Sequence, residues 1–499
     1  MTNFIPSDMQ QAVFDFVEAG TGNGILIAVA GAGKTTTMVE AAKRFDGRSC
    51  IVAYNTKMAK ELKEKTVGLK QTFCMTFHSA GLTALRRAYE GTFNLELDGK
   101  KVLKIMDALE VNDPSLGEYT AVIAKVVSMA KQRGFYIDGC TPNPTLQDWE
   151  DMAYHYDLLD ALPESADVAR MLKGADWVLR KSSTMLDVID FDDMVYMPLL
   201  KRCKFWTYGL VVIDEAQDTN PTRREMAARM MWRESRLIAV GDPHQAIFGF
   251  TGADNDSLDQ IKARFKCTEM MLTDSFRCPK AVVAQARKLV SHITSVPGAP
   301  EGTYRTVDLA TAYAEAEPGD AILCRYNKPL VEMCFALIRE GKAAKIEGRN
   351  IGEGLVKLAT RWKIKTIDAL ENKLEVYLEK EVKKALEKEQ EDRADRITDQ
   401  VATIKVLIDR VREQNGNTVA DLRALIEGMF GDNVSNLQDT ITLCSQHKSK
   451  GLEWDTVYIL HRDQYNPSQF ARQDWQMAQE VNLEYVAVTR AKSTLIDIV

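Results

Sequence analysis

Residues 25–37 read ILIAVAGAGKTTT. The opening run, Ile25–Ala30, is short and apolar, as a strand buried on both faces of a parallel sheet is. A glycine-rich turn follows at once, and then a helical pattern. Counted from Ala28, the frame A-x-x-x-x-G-K-T is a P-loop with Ala in place of its first Gly. Gly31, Ala32 and Gly33 let backbone N–H groups turn inward around phosphate oxygens, and the next helix points its N-terminus at the same charge. Lys34 is then expected to reach the β- and γ-phosphates, Thr35 to hold Mg²⁺, and Thr36 to join them in binding the nucleotide. A strand, a phosphate loop and a helix in that order specify an α/β unit that binds a nucleoside triphosphate.

Such a site requires a carboxylate at the end of a neighbouring strand. Leu210-Val211-Val212-Ile213 followed by Asp214-Glu215-Ala216-Gln217-Asp218 supplies one. Asp214 is placed to hold the Mg²⁺ shell, and Glu215 to activate the attacking water.

With 499 residues the chain is long enough for two to four domains. At 45% hydrophobic and 27% charged it has the composition of a soluble globular protein. The net charge of −7 argues against a uniformly basic nucleic-acid coat but permits a local basic groove. Nine scattered cysteines without a C-x-x-C pair suggest reduced core residues rather than a zinc knuckle or disulfide framework. The first residues lack a signal pattern and no apolar run reaches membrane-spanning length, so a soluble, cytoplasmic protein is expected.

Along the chain, residues 1–85 alternate strands (Ile25–Ala30, Ser49–Tyr54) with helices in βαβ fashion. Residues 86–206 turn helical, with a Pro-rich loop at 141–144, and strands return at Leu210–Ile213 and Leu237–Val240. A second α/β stretch begins near 276, with a strand at Ala321–Cys324. From Leu355 to Asn415 there is neither Gly nor Pro. Ile397, Val401, Ile404, Ile408 and Val411 repeat at 4-3-4-3 spacing, the seam of one helix on another. Leu370, Leu374, Tyr377 and Leu378 form an earlier seam, and the polar run EKEQEDRADR separates the two. A helical hairpin fits, with a solvated charged helix as the alternative. Strands resume at Thr440–Cys444 and Thr456–Leu460.

The string VVIDEAQD (211–218), with AGAGKT before it and GDPHQAIFGF (241–250) after it, resembles superfamily 1 helicases of the UvrD/Rep/PcrA group. The resemblance covers residues 6 to 492 and implies two RecA-like P-loop motor domains, each interrupted by a mainly helical insert. By that reading 1–85 and 207–275 form the first motor domain with insert 86–206. Residues 276–355 and 436–499 form the second, with the small insert 356–435.

The resemblance also assigns residues. PSDMQ (6–10) is similar to the family's adenine-reading motif, with Gln10 favoured and Gln11 the alternative. Gln245 would contact the γ-phosphate or the attacking water. Arg277, in LTDSFR (272–277), would reach the γ-phosphate. Glu453, in QHKSKGLEWD (446–455), would reach the ribose, and Arg490, in EYVAVTRAK (484–492), would be the arginine finger.

Single-stranded DNA would meet Asn55 and Lys57 in YNTK, Thr76 and His78 in TFHS, Arg325 in LCRYN, and His447. His78 suits loop positioning as well as a DNA contact. Phe248 and Phe250 would stack on bases, or else pack beneath their loop. Asp190-Phe191-Asp192-Asp193 resembles the family's D-F-D-D segment and equally suits a capped, solvated helix start.

The implied activity is an ATP- and Mg²⁺-dependent DNA helicase moving 3′→5′ on single-stranded DNA and acting at single-strand/duplex junctions. The alternative is a translocase that displaces bound proteins and unwinds poorly. The expected partners are DNA and replication or repair proteins, with no membrane. The expected form is a monomer or weak oligomer, compact and of phage or bacterial type.

Overall fold

The computed structural model describes residues 4–499 except 91–94, 111–112, 157, 163–165, 248–255, 348, 388–390, 430–439, 470 and 472–473. Its contacts divide the chain into two units. One comprises Met1–Ala28 with Gly33–Leu272, the other Val29–Ala32 with Thr273–Val499.

In the first unit, α1 (Asp8–Glu18) precedes six strands: β1 (Gly24–Ala28), β2 (Ser49–Ala53), β3 (Thr72–Thr76), β4 (Tyr208–Ile213), β5 (Met231–Gly241) and β6 (Thr268–Leu272). They form one sheet in the order β3-β2-β4-β5-β1-β6, every pair parallel. Parallel neighbours require crossovers. Helices α2 (Lys34–Arg44), α3 (Thr56–Lys65) and α4 (Phe77–Ala88) provide them after β1, β2 and β3. Residues Leu210–Ile213 and Leu237–Val240 are buried on both faces, which is why they read as unbroken apolar runs.

Two strand limits differ from the sequence reading. Strand β1 ends at Ala28 because Val29 and Ala30 already belong to the phosphate loop, and β5 starts six residues before its apolar run. That early stretch is mostly exposed and meets β4 through a register shift.

Between α4 and β4 lie helices Lys101–Glu110, Thr120–Arg133, Leu146–His155, Val168–Thr184 and Asp193–Leu200. Their buried faces join the sheet in a continuous core: Trp149, Met171 and Val178 share one apolar cluster with Val52 and Val211. The D-F-D-D segment is not a solvated helix start. Asp193 pairs with buried Lys101 at 2.7 Å and with Lys131 at 2.7 Å, while Asp190 meets Lys131 at 2.5 Å. The aspartates are drawn inward by two lysines that have no other way to hold charge in a core. Helix α5 (Pro221–Arg229) then leads from β4 towards β5.

The second unit repeats the plan with β7 (Thr303–Val307), β8 (Ala321–Cys324), β9 (Ala344–Glu347), β10 (Ile441–Ser445), β11 (Trp454–Leu460) and β12 (Ala491–Ile498). Its all-parallel order is β7-β12-β11-β8-β10-β9. Helix α6 (Asn327–Arg339) follows β8. Helices Arg349–Thr360, α7 (Ile367–Glu387), α8 (Glu391–Glu413) and Val419–Met429 separate β9 from β10, and α9 (Asp474–Val488) precedes β12.

Helices α7 and α8 form the hairpin that the two seams suggest, with Leu370, Leu374, Val401, Ile404 and Ile408 fully buried. The polar run does not interrupt the helices where expected, because α8 begins inside it at Glu391. Ala, Arg and Glu are strong helix formers, and Arg393 pairs with Glu381 across the hairpin at 2.5 Å. All nine cysteines are free, and eight of them are buried. Among the described residues no helix is long and apolar enough to cross a membrane.

Ile404→Ala should lower stability to urea by about 2–5 kcal/mol, because it leaves a cavity in the seam. Lys405→Ala, which removes only an exposed pair with Glu375, should cost at most about 1 kcal/mol. Equal losses would mean that the hairpin is not held by its apolar seam.

Candidate nucleotide site and nucleic-acid surface

Because every strand of the first sheet is parallel, the loops after β1, β4 and β5 leave the same edge. Gly33 occupies the left-handed region at φ 76°, a conformation that costs glycine nothing, and no side chain caps α2. The first-turn N–H groups of α2 are therefore oriented to receive an anion. Lys34 begins that turn, with Thr35 partly buried and Thr36 exposed.

Strand β4 is not the immediate neighbour of β1, contrary to the sequence expectation, because β5 lies between them. The phosphate loop still meets the carboxylates: Lys34 Nζ lies 3.7 Å from Glu215 Oε1. Glu215 sits at φ 50° and ψ 47°, a left-handed backbone that is uncommon for a residue with a side chain. Its own N–H donates to Asp214 Oδ1 at 3.0 Å.

The loops after β4 and β5 add two residues that sequence reasoning missed, Gln217 and Asp242. Gln217 Nε2 donates to Glu215 Oε2, and its Oε1 accepts from the Asp242 N–H at 3.1 Å. Gln245 Nε2 in turn donates to Asp242 Oδ2 at 2.7 Å. Lys34, Glu215, Gln217, Asp242 and Gln245 thus form one polar chain. A legible signal existed: Gln217 stands two places from Glu215 and Asp242 three from Gln245, each in a loop that ends a buried strand.

Burial, reinforced by the Glu215 charge and opposed by Lys34, pushes the Asp214 carboxyl up to about 7. Burial likewise raises Asp242, again against Lys34. These paired acids beside a phosphate loop suit a divalent cation, whose charge would relieve their crowding. Among the described residues no group of three or more His, Cys, Asp or Glu could hold a metal alone.

Gln10 is 2% exposed, and its Nε2 donates to Thr37 on α2 at 3.1 Å. Gln11 is exposed and its Nε2 donates to Asp15, so the buried position beside the phosphate-loop helix belongs to Gln10. The Gln10 Oε1 also accepts the Ser7 N–H at 3.1 Å, closing a capping box around the start of α1.

Within the second unit, the Val29–Ala32 stretch is held by the Ala30 N–H donating to the Tyr485 hydroxyl at 2.9 Å and by Ser275 donating to the Ala30 carbonyl at 2.8 Å. A Cβ on Gly31 would lie 2.5 Å from Cβ of Arg277, so only glycine fits. Arg277 pairs with Glu453 at 2.7 Å. Arg490 is 1% exposed; its Nε donates to the Val486 carbonyl at 2.8 Å and its Nη1 to Leu452 at 3.2 Å. Arg277 thus packs on Gly31 and pairs with Glu453, while Arg490 bonds the carbonyl of the preceding Leu452.

The proposed DNA contacts divide. Asn55 caps α3 by accepting the Met58 N–H, and Thr76 caps α4 by accepting the Ser79 N–H. Their side chains shape helix starts, while Lys57 is exposed on the first turn of α3. His78 is partly buried; burial, with the Arg223 charge, pushes its imidazole down to about 4. Phe191, which no role had been given, is 63% exposed and lies against the His78 ring at 5.6 Å.

Arg325 departs from expectation. It is enclosed by Glu480 at 2.8 Å and Asp395 at 3.1 Å, so its charge is already neutralised beneath the surface. Burial, with Arg325 nearby, pushes the His447 imidazole down to about 3 and keeps it neutral. Phe248 and Phe250 lie outside the described residues.

Residues 9–266 match the family model of the UvrD/REP helicase N-terminal domain. Over 94% of its length the chain is 25% identical to an F-box DNA helicase 1 from Gallus gallus, covering 47% of that protein. It is 23% identical to a probable DNA helicase II homolog from Mycoplasma genitalium, covering 96% of this chain and 83% of that one. Identity to the ATP-dependent DNA helicase Rep of Escherichia coli is 24%, over 57% of this chain and 43% of Rep. The chain thus spans about half the length, or less, of two of these three relatives.

With its folded-state carboxyl above the ordinary 3.8, Asp214 makes the nucleotide-free protein lose stability as pH rises from about 4 to about 7. Asp214→Asn should therefore melt higher than wild type at pH 8, with the gain vanishing toward pH 4. A gain that is constant across pH, or a loss at pH 8, would contradict the buried acid pair.

Proposed function

Because this chain belongs to the UvrD/REP helicase family, we propose that it is an ATP-dependent DNA helicase that moves 3′→5′ along single-stranded DNA. The observation that carries this reading is the 3.7 Å approach of Lys34 to Glu215, with Asp214 buried beside them. Two RecA-like motor domains, 1–85 with 207–275 and 276–355 with 436–499, carry the machinery, and 86–206 and 356–435 are their inserts.

In this reading Lys34 and the α2 N-terminus take the triphosphate, and Asp214 with Thr35 holds Mg²⁺. The ion supplies charge neutralisation on the phosphates. Arrival of the γ-phosphate draws the Lys34 ammonium from Glu215, leaving that carboxylate to accept the proton of the attacking water. Gln217 keeps Glu215 oriented, and Gln245 joins the water or γ-phosphate through Asp242. Gln10 lines the adenine side.

In the second unit Arg277, Glu453 and Arg490 respond to the nucleotide. Arg490 must exchange its carbonyl partners for phosphate, which ties nucleotide state to the loop at Leu452. Lys57, the N-termini of α3 and α4, and Phe191 with His78 offer a strand both backbone and ring contacts.

The test is ATP turnover with and without a poly(dT) oligonucleotide. Lys34→Ala and Glu215→Gln should lower DNA-stimulated turnover by about 10²–10⁴-fold while strand affinity stays within a few-fold. Stimulated turnover surviving in either variant would sink the assignment of the site.

A further inference from the structure

Arg223 lies on the first turn of α5 and has no part in the chemistry above, yet it touches both halves of the first unit's candidate site. Its backbone N–H is fixed by the Asn220 cap at 3.0 Å. Its Nη1 donates to the carbonyl of Asp218 at 3.1 Å, the last residue of the loop that carries Asp214 and Glu215. Its guanidinium stands 5.4 Å from the centre of the Tyr54 ring, and Tyr54 immediately precedes the exposed start of α3. With His78, Gln132, Asp192 and Asn220 it walls a polar cavity of about 40 Å³.

Two neighbouring arginines of this unit are compensated: Arg229 and Arg264 both pair with Glu225. Among the described residues Arg223 has no carboxylate within 4 Å, although it is half-buried. A cation so placed draws an anion, and a planar guanidinium suits a phosphate in particular. The cavity holds roughly one water and is too small for a phosphodiester, so a phosphate would engage Arg223 from outside it, on the side of Tyr54.

We propose that Arg223 is a positioning residue that reports the DNA backbone to the catalytic loop: a strand phosphodiester draws its guanidinium, and its bond to the Asp218 carbonyl carries that shift to Glu215. The proposal rests on the helicase reading and deepens it. An arginine suits the task because one fork can stack on Tyr54, hold a carbonyl and meet a phosphate together, which a lysine cannot do.

The experiment compares wild type, Arg223→Gln and Arg223→Lys in the full chain, using a (dT)20 oligonucleotide. Two quantities are read: the ratio of kcat with saturating oligonucleotide to kcat without it, and the slope of log Kd against log [NaCl]. Arg223→Gln should lower the ratio at least fivefold and reduce the slope by roughly 0.7, one single-strand phosphate contact. Arg223→Lys should restore the slope but not the ratio, and because it keeps the charge it reads the proposal even if the glutamine variant folds poorly. A wild-type ratio in either variant overturns the proposal, whatever the slope. If wild-type turnover ignores DNA, the helicase reading falls and this proposal with it; if wild type responds and the variants respond equally, only the proposal falls.

Discussion

Two adjacent carboxylates, Asp214 and Glu215, are held together at the end of a buried strand with one ammonium, Lys34, facing them. Like charges in a desolvated site repel strongly, and burial penalises each further. The fold tolerates this through specific devices. The left-handed backbone at Glu215 turns the two side chains differently, and the Glu215 N–H donates to Asp214. Gln217 binds Glu215 through an uncharged amide, which orients the carboxylate without adding to its charge. A site of this kind is unfavourable when empty and would be relieved by bound cations and phosphates, the relation that the proposed ATPase requires between its resting and loaded forms.

The parallel sheet is what makes that arrangement available. With every strand running the same way, the phosphate loop, the Asp214 loop and the Asp242 turn all open on one edge. The strand between β1 and β4 does more than fill space. It contributes Asp242 and Gln245, so the polar chain from Lys34 runs on to the stretch that continues into residues 248–255. From β2 and β3 come two helix N-termini, at Asn55 and Thr76, on the same edge. In the proposed function, nucleotide chemistry and strand contacts would need no long-range relay within the first unit, because the loops assigned to them are adjacent on one sheet edge.

Much of this was legible in the sequence, for physical reasons. Strands buried on both faces must be continuously apolar, so Leu210–Ile213 and Ala321–Cys324 stand out, and the 4-3-4-3 seam pointed to a helix packed on another. The phosphate loop was legible because few residues other than glycine fit it, as the clash awaiting a Cβ at Gly31 illustrates. What stayed hidden depends on partners distant in the chain. Nothing local to Arg325 discloses that Glu480 and Asp395 enclose it. The same holds for the inward turn of the Asp190 and Asp193 carboxylates, which depends on Lys101 and Lys131. Strand order was likewise unreadable, since β5 inserts between β1 and β4 without any mark in either.

The central claim, ATP-driven movement along one DNA strand, is met most directly by unwinding of duplexes that carry a single-stranded tail at one end only. Fluorescence release from duplexes with a 3′ or a 5′ tail, started by ATP and Mg²⁺, reads both motion and direction. ATP-dependent release from the 3′-tailed substrate, with little from the 5′-tailed one, is the expected result. Release from neither, with ATP hydrolysed at the same rate whether or not DNA is present, would contradict it.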